Sequence, residues 1–176
     1  MKKKILSLII LVSGLSCYAQ NDYTKLEKDK CKVDHKCLTE YKYDSFEDIY
    51  TYNVGPEENI LSKDGLTYTI RKSIFKKTNQ FITTLTLIGN RKGCRTKDSY
   101  VHIQFKNGEK LKLPTSSSSI KCGISIIPVD ITKYVDVFEK DAMEKIRIYI
   151  DTYEDFDITE KGQEKFVKNL QCISSL

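Results

Sequence analysis

Between residues 48 and 127, and again from Ile146 to Ile150, apolar and polar side chains alternate with a period of two, which is typical of β-strands with one buried face. Turn sequences such as Asp64-Gly65 and Asn107-Gly108 separate these runs, and an Asn-Gly pair is a strong hairpin signal. Gly89-Asn90 is predicted to end the strand that contains Phe81. The pattern predicts six or seven strands. Their apolar positions begin near Ile49, Leu66, Phe81, Tyr100, Leu111, Ile124 and Ile146.

The period lengthens in two later segments. Apolar residues recur at spacings of three and four after Ile131, which predicts a helix over about Thr132–Met143 with Asp130 or Thr132 as its cap. A second helix is predicted after Thr159, and it should bury Phe166, Leu170 and Ile173. The chain is therefore predicted to be mainly β (α+β): an antiparallel sheet or β-sandwich with one internal helix and a C-terminal helix.

The first nineteen residues have the parts of a secretory signal peptide. Lys2, Lys3 and Lys4 form the positive start, and an apolar run from Ile5 to Leu15 follows. Small residues precede a cleavage site after Ala19. Because a bilayer-spanning helix needs about 20 apolar residues, the run predicts export and not a transmembrane anchor.

Cys17 leaves a second form of processing open. It follows Ser16, a small residue of the kind that precedes the acylated cysteine of a lipoprotein, although Gly14 and Leu15 fit that pattern less well. We expect cleavage after Ala19 and a periplasmic or extracellular protein. A lipid anchor at Cys17 is the alternative.

The chain after the signal peptide has a length that suits one domain. Residues 20–47 are polar and charged without a clear period, and they predict an N-terminal lead-in. Residues 48–176 predict a single β-rich domain. They contain no second apolar run of membrane length.

Five cysteines follow the predicted cleavage site, and cysteines of exported proteins are usually paired. Cys31 and Cys37 enclose a short loop, whereas Cys94 and Cys122 flank the predicted hairpin. We predict a disulfide within each of these two pairs. Cys172 is then left over, as a buried thiol or as a competitor for one of the other partners.

The sequence offers few groups for catalysis or metal binding. Its two histidines, His35 and His102, have no nucleophile motif such as G-x-S-x-G to accompany them. The segment CKVDHKC brings Cys31, His35 and Cys37 together, but a structural zinc site takes four ligands. We therefore predict no catalytic residue, no metal site and no cofactor.

Three further clusters have structural explanations. The acids Glu154, Asp155 and Asp157 predict a solvated turn before the last helix, whose N-terminus favours negative charge. The serine run at residues 116–119 predicts a loop that connects two strands. Burial within the sheet is the favoured placement of the N-terminal tyrosines, although exposed tyrosines would form a contact surface. These tyrosines are Tyr41, Tyr43, Tyr50 and Tyr52.

Charge is unevenly distributed along the chain. The formal net charge is +5, and it falls to +2 without the signal peptide, which is too little to indicate nucleic-acid binding. Residues 63–121 carry a net +10, whereas residues 20–62 and 122–176 each carry −4. A clustered basic surface would attract an acidic partner. The predicted binding residues lie near one hairpin and the following loop: Arg71, Lys72, Lys76, Lys77, Arg91, Lys92, Arg95 and Lys97. The alternative is that the acidic segments cover the basic strands.

Several short motifs give a weak family resemblance over roughly residues 66–174. They are Gly93-Cys94, Asn107-Gly108, Cys122-Gly123, Ile146-Arg147-Ile148-Tyr149, Asp155-Phe156-Asp157-Ile158 and Leu170-Gln171-Cys172-Ile173. With these motifs the chain resembles small exported bacterial β-rich domains of unknown function. The resemblance implies export and a β-rich fold, and it implies no activity.

These observations predict an exported, non-enzymatic domain that binds a protein or an anionic envelope component through the basic hairpin region. An exported inhibitor or immunity-type protein is the second hypothesis. A hydrolase of unrecognised type is the third, and it would need a pocket that holds His35 or His102 beside an acid.

Overall fold

A computed structural model describes residues 38–55 and 59–176, apart from the side chain of Ile124. These residues belong to one compact unit, Cys37–Leu176. The predicted signal peptide, the processing at Cys17 and the Cys31–Cys37 disulfide lie outside the described residues.

The described residues form nine strands in two antiparallel sheets, which confirms the mainly β fold and corrects the predicted number of strands. The five-stranded sheet has the order β1-β2-β3-β4-β7. Its strands are β1 (Glu40–Asp44), β2 (Ile49–Val54), β3 (Thr67–Phe75), β4 (Gln80–Arg95) and β7 (Lys121–Asp130). The four-stranded sheet has the order β6-β5-β8-β9. Its strands are β5 (Tyr100–Phe105), β6 (Lys110–Pro114), β8 (Met143–Tyr149) and β9 (Tyr153–Asp157).

Two α-helices accompany the sheets, in the places that the sequence predicts. Helix α1 (Val135–Lys140) follows a 3₁₀ turn at Thr132–Tyr134 and is shorter than predicted, because the backbone becomes extended at Asp141 and the buried Met143 begins β8. Helix α2 (Glu160–Ser174) begins as predicted, with the Thr159 hydroxyl accepting a hydrogen bond from the Gly162 amide.

The inner faces of both sheets and the apolar side of α2 line one hydrophobic core. Helix α2 lies against β2 and β3, and the predicted residues Phe166, Leu170 and Ile173 are buried there. Aromatic rings connect the layers in series, from Tyr68 to Phe166, then Phe138, then Phe105, with centroid separations of 5.2, 5.7 and 5.8 Å. Full burial of such rings contributes about 2–3 kcal/mol each.

Polar contacts fix α2 to the segment that joins β2 to β3. The Thr159 hydroxyl donates to the Leu61 carbonyl at 3.1 Å, and the Asn169 amide donates to Asn59 Oδ1 at 3.1 Å. The absence of a side chain at Gly162 allows this close approach, since a Cβ there would lie 2.6 Å from the Leu61 carbonyl oxygen. Any larger residue at Gly162 would push the helix away from the core.

The disulfide between Cys94 and Cys122 is confirmed, and it joins directly paired residues of β4 and β7. The prediction that Cys172 is left over is wrong, because Cys172 is also disulfide-bonded. Its partner lies outside the described residues, since Cys94 and Cys122 bond to each other. Sequence spacing could not reveal this bond, because a disulfide depends on distance in the fold.

The predicted domain start at residue 48 is too late. Strand β1 lies inside the predicted lead-in and pairs with β2, so that Tyr41 opposes Tyr52 and Tyr43 opposes Tyr50. Tyr50 and Tyr52 are buried as expected, whereas Tyr41 and Tyr43 on the edge strand are 41% and 43% exposed. The polar residues between the tyrosines of β1 conceal the strand, because every residue of this edge strand is exposed.

Two other boundaries differ from the prediction. Strand β4 does not end at Gly89-Asn90 but continues to Arg95 across an irregularity between Ile88 and Lys92. The acids Glu154, Asp155 and Asp157 lie on β9 and not in a turn. The chain reverses earlier, where the Ile150 amide donates to the Thr152 carbonyl at 3.0 Å.

Candidate functional site

The structure separates the eight basic residues that the sequence predicts as one surface. Lys76 and Lys77 lie in or beside the turn between β3 and β4, whereas Arg91 and Lys92 lie far along β4. About twelve strand residues separate these groups, a distance of roughly 35–40 Å. The exposed residue Arg71 lies on the outer face of β3 and donates to Asn53 Oδ1. These residues do not form a single patch.

Lys72 is one of two predicted binding residues that are buried. It is 7% exposed on the inner face of β3 and donates from Nζ to the Ser174 carbonyl at 3.0 Å. That carbonyl belongs to the last residue of α2, where the helix dipole favours a cation. Burial lowers the pKa of Lys72. Its assignment to a binding surface is therefore wrong, because the side chain joins the helix to the sheet.

Arg95 is the second buried residue of the predicted set, with 6% of its surface exposed. Its guanidinium donates to the Ile126 carbonyl at 3.0 Å and to the Ser117 hydroxyl at 3.0 Å. These bonds attach the serine loop, residues 115–120, to the five-stranded sheet. Arg95 therefore does not belong to an exposed basic patch.

A different surface brings cationic and aromatic side chains together, namely the outer face of the four-stranded sheet. Alternate residues of its strands point away from the core, so twelve side chains form three rows across the sheet. The first row is Pro114, Tyr100, Tyr149 and Tyr153. The second row is Lys112, His102, Arg147 and Asp155. The third row is Lys110, Gln104, Lys145 and Asp157.

Ring and cation contacts order the first two rows. Tyr100 stacks on Tyr149 with centroids 4.8 Å apart, and Lys112 Nζ lies 4.0 Å from the Tyr100 centroid on the neighbouring strand. The Arg147 guanidinium lies 4.6 Å from the Tyr153 ring. Because Tyr100 is flanked by Tyr149 and Lys112, it offers its edge and hydroxyl to a ligand and not its ring face.

Carboxylates neutralise the β9 side of this outer face. Arg147 donates twice to Asp155, at 2.5 and 2.6 Å, and this pairing lowers the pKa of Asp155 and raises that of Arg147. Lys145 forms an ion pair with Asp157 at 3.3 Å. Salt bridges at such exposed positions contribute up to about 1 kcal/mol each. They leave little free positive charge at β9.

The β6 side of the same face keeps its positive charge. Lys110 and Lys112 are exposed, and within the part of the chain that the structure describes neither forms an ion pair. Burial and the positive charges of Lys112, Arg147 and Lys110 lower the pKa of His102.

No group of three or more His, Cys, Asp and Glu side chains in them is arranged to hold a metal ion. None of the described helices combines the length and the apolar character needed to cross a membrane. His35 lies outside the described residues, and His102 contacts Tyr100 at 4.8 Å on an open sheet face.

The alternation of apolar and polar residues already indicates which side chains face outward. His102 lies between the buried residues Val101 and Ile103, and the same rule would have placed Lys72 inward with Tyr68. The sequence lacks a local signal that β5 pairs with β8, which follows about forty residues later. The three rows of side chains on the outer face therefore cannot be predicted from the sequence.

No protein-family model, curated protein or solved structure matches the chain. The resemblance to exported bacterial domains stays a prediction.

Proposed function

We propose that the protein is an exported, non-enzymatic domain that binds an acidic polysaccharide of the cell envelope through the outer face of its four-stranded sheet. Lys110 and Lys112 on β6, beside His102, are the observation that carries this proposal: both are exposed, and neither forms an ion pair with a described residue. An anion placed over this edge gains attraction from several cations at once, without displacing an existing ion pair.

The composition of the face favours a polysaccharide over a membrane or a protein. Pro114 is the single aliphatic side chain among the twelve, although peripheral membrane proteins insert apolar groups into the interface. Protein interfaces usually have an apolar centre depleted of charge, whereas Arg147 and His102 occupy the centre here. Amide, phenol and ammonium groups suit the hydroxyl and carboxylate oxygens of uronic acid polymers.

Calorimetric titration with polygalacturonate tests the binding surface. We expect saturable binding that weakens with salt, and no binding of the neutral polymer dextran. The variant K110E/K112E should lose about tenfold or more in affinity, since each reversal replaces attraction with repulsion. The control variant R71E/K77E changes the same number of charges on the five-stranded sheet and should bind normally.

Other outcomes would reject this assignment. Equal losses in K110E/K112E and R71E/K77E would indicate a diffuse charge effect. Loss in R71E/K77E alone would favour the predicted hairpin region. Binding to anionic vesicles with none to polygalacturonate would indicate a lipid ligand, and isolation of a stoichiometric complex with an enzyme would favour an inhibitor.

Export has a separate test, the intact mass of the protein from its native host. The proposal expects a chain that begins at Gln20. A mass that includes an acylated Cys17 would place the protein on a membrane surface by a lipid anchor. An uncleaved chain would contradict export.

A further inference from the structure

The Arg95 guanidinium is the most enclosed cation among the predicted binding residues, and no counter-ion accompanies it in the part of the chain that the structure describes. Its side chain is 94% buried, as follows from its 6% exposure. Within residues 38–55 and 59–176, no carboxylate forms an ion pair with it. An uncompensated charge in such a place is unfavourable by several kcal/mol, and this penalty falls when an anion binds.

The hydrogen bonds of Arg95 account for only some of its donors. Nη1 donates to the Ile126 carbonyl, and Nη2 lies 3.0 Å from Ser117 Oγ, 3.3 Å from Ser119 Oγ and 3.4 Å from the Ser119 carbonyl. Nε is buried and has no acceptor. A guanidinium has five N–H donors, so capacity remains for an anionic oxygen.

The two serines provide a further donor beside this cation. Ser117 Oγ and Ser119 Oγ lie 3.0 Å apart, so one hydroxyl proton bridges them. The other hydroxyl proton has no acceptor among the described atoms. Ser117 is half-buried and Ser119 is exposed, so an ion can approach these hydroxyls from solvent.

The base of the serine loop is fixed to both sides of the fold. The Thr115 amide donates to the Ser99 carbonyl at 2.9 Å, and the Ser116 amide donates to the Pro128 carbonyl at 2.8 Å. The hydroxyls are therefore held over Arg95 before any ligand arrives. Such preorganisation reduces the entropy lost on binding.

We propose that Arg95, Ser117 and Ser119 form a binding site for one tetrahedral oxyanion, a phosphate or sulfate group. The ligand oxygens accept from the free serine hydroxyl and from the guanidinium, and the ligand charge compensates the buried cation. This site is separate from the outer face of the four-stranded sheet, and its existence does not depend on polysaccharide binding.

The test uses the full chain, titrated with sodium phosphate and sodium sulfate against sodium chloride at matched ionic strength. The ¹⁵N–¹H resonance of Arg95 Nε, assigned by its loss in R95K, should shift saturably with either oxyanion and not with chloride. Thermal unfolding should show a Tm increase of about 2–8 °C near saturation. Methyl phosphate then tests whether the group can belong to a larger molecule.

The variant S117A/S119A keeps Arg95 and should lose the saturable shift. The control variant K77Q removes an exposed cation elsewhere and should retain it. If neither oxyanion shifts the Nε resonance of the unaltered protein, the site does not exist and Arg95 only holds the loop. An unchanged response in S117A/S119A would also overturn the proposal.

Discussion

Each of the two sheets has a lysine that contacts an aromatic ring, but one of these lysines is buried and the other is exposed. On the inner face of the five-stranded sheet, Lys72 lies 5.0 Å from the Phe81 centroid and is enclosed under the end of α2. On the outer face of the four-stranded sheet, Lys112 lies 4.0 Å from the Tyr100 centroid and is exposed. The same pair of chemical groups therefore fastens a helix in one sheet and supplies surface charge in the other.

Reversing the charge of each lysine should give the largest difference in stability between the two sites. K72E places a carboxylate beside the Ser174 carbonyl and should lower the free energy of unfolding by about 3–5 kcal/mol at pH 7. K112E should change it by no more than about 0.5 kcal/mol. Urea denaturation of both variants measures the difference. Similar losses in the two variants would contradict the contrast between the faces.

Removal of a tyrosine hydroxyl should give a smaller difference in the same direction. The Asn169 amide donates to Tyr68 Oη at 2.8 Å, and burial raises the pKa of Tyr68 to about 12. Y68F leaves an amide proton of Asn169 without an acceptor and should lower the free energy of unfolding by about 1–3 kcal/mol. Y149F on the outer face should leave stability nearly unchanged. A large loss in Y149F would show that the outer row is also a structural network.

The buried Lys72 should make the stability of the protein depend on pH in the alkaline range. Burial lowers the folded-state pKa of Lys72 below its ordinary value of 10.5. Between these two pKa values the unfolded state binds more protons, so stability increases with pH. As pH rises toward 10.5, the stability of the unaltered protein should therefore increase relative to that of K72M.

Denaturation of K72M at several pH values measures this effect, with K112M as the control. A flat K72M difference would mean that the Lys72 ammonium is hydrated in the fold.

The smallest expected effect is on the pKa of His102. Burial lowers this pKa, and so does the positive charge of Lys112, which lies opposite His102 on β6. K112Q should therefore raise the pKa of His102. NMR titration of the imidazole Cε1–H measures this shift, with K42Q as the control on the other sheet. If the pKa does not move, Lys112 contributes no field at the centre of the face.

The fold class can be predicted from the sequence because the alternation of strand residues and the caps of helices are local features of the chain. Strand β2 and the Thr159 cap of α2 are found where the pattern predicts them. Strand β1 is not predicted because it is only five residues long and fully exposed, so two tyrosines among charged residues are its only strand signal. Strand β9 is not predicted because its two outward-facing aspartates resemble the polar residues of a turn.

The binding residues are predicted less well than the fold, for a physical reason. Proximity along the chain does not imply proximity in space when a strand is sixteen residues long, as β4 is. Arg91 shows this, because it donates to the Tyr153 carbonyl, which lies 62 residues away in the sequence. The rows around His102 depend on pairing between distant strands, and one sequence does not specify that pairing.

Because α2 follows all nine described strands in the sequence, the hydrophobic core cannot close until the helix has been synthesised. Asn59 and Asn169, which join the β2–β3 segment to α2, are separated by 110 residues. At an elongation rate of about 5–20 residues per second, β2 and β3 emerge roughly 5–20 s before the helix that covers them. Until α2 is present, the inner faces of β2 and β3, which carry Tyr50 and Tyr68, remain exposed to water and to other chains. A chaperone that shields Tyr50 and Tyr68 during synthesis would therefore act on the nascent chain and not on the finished protein.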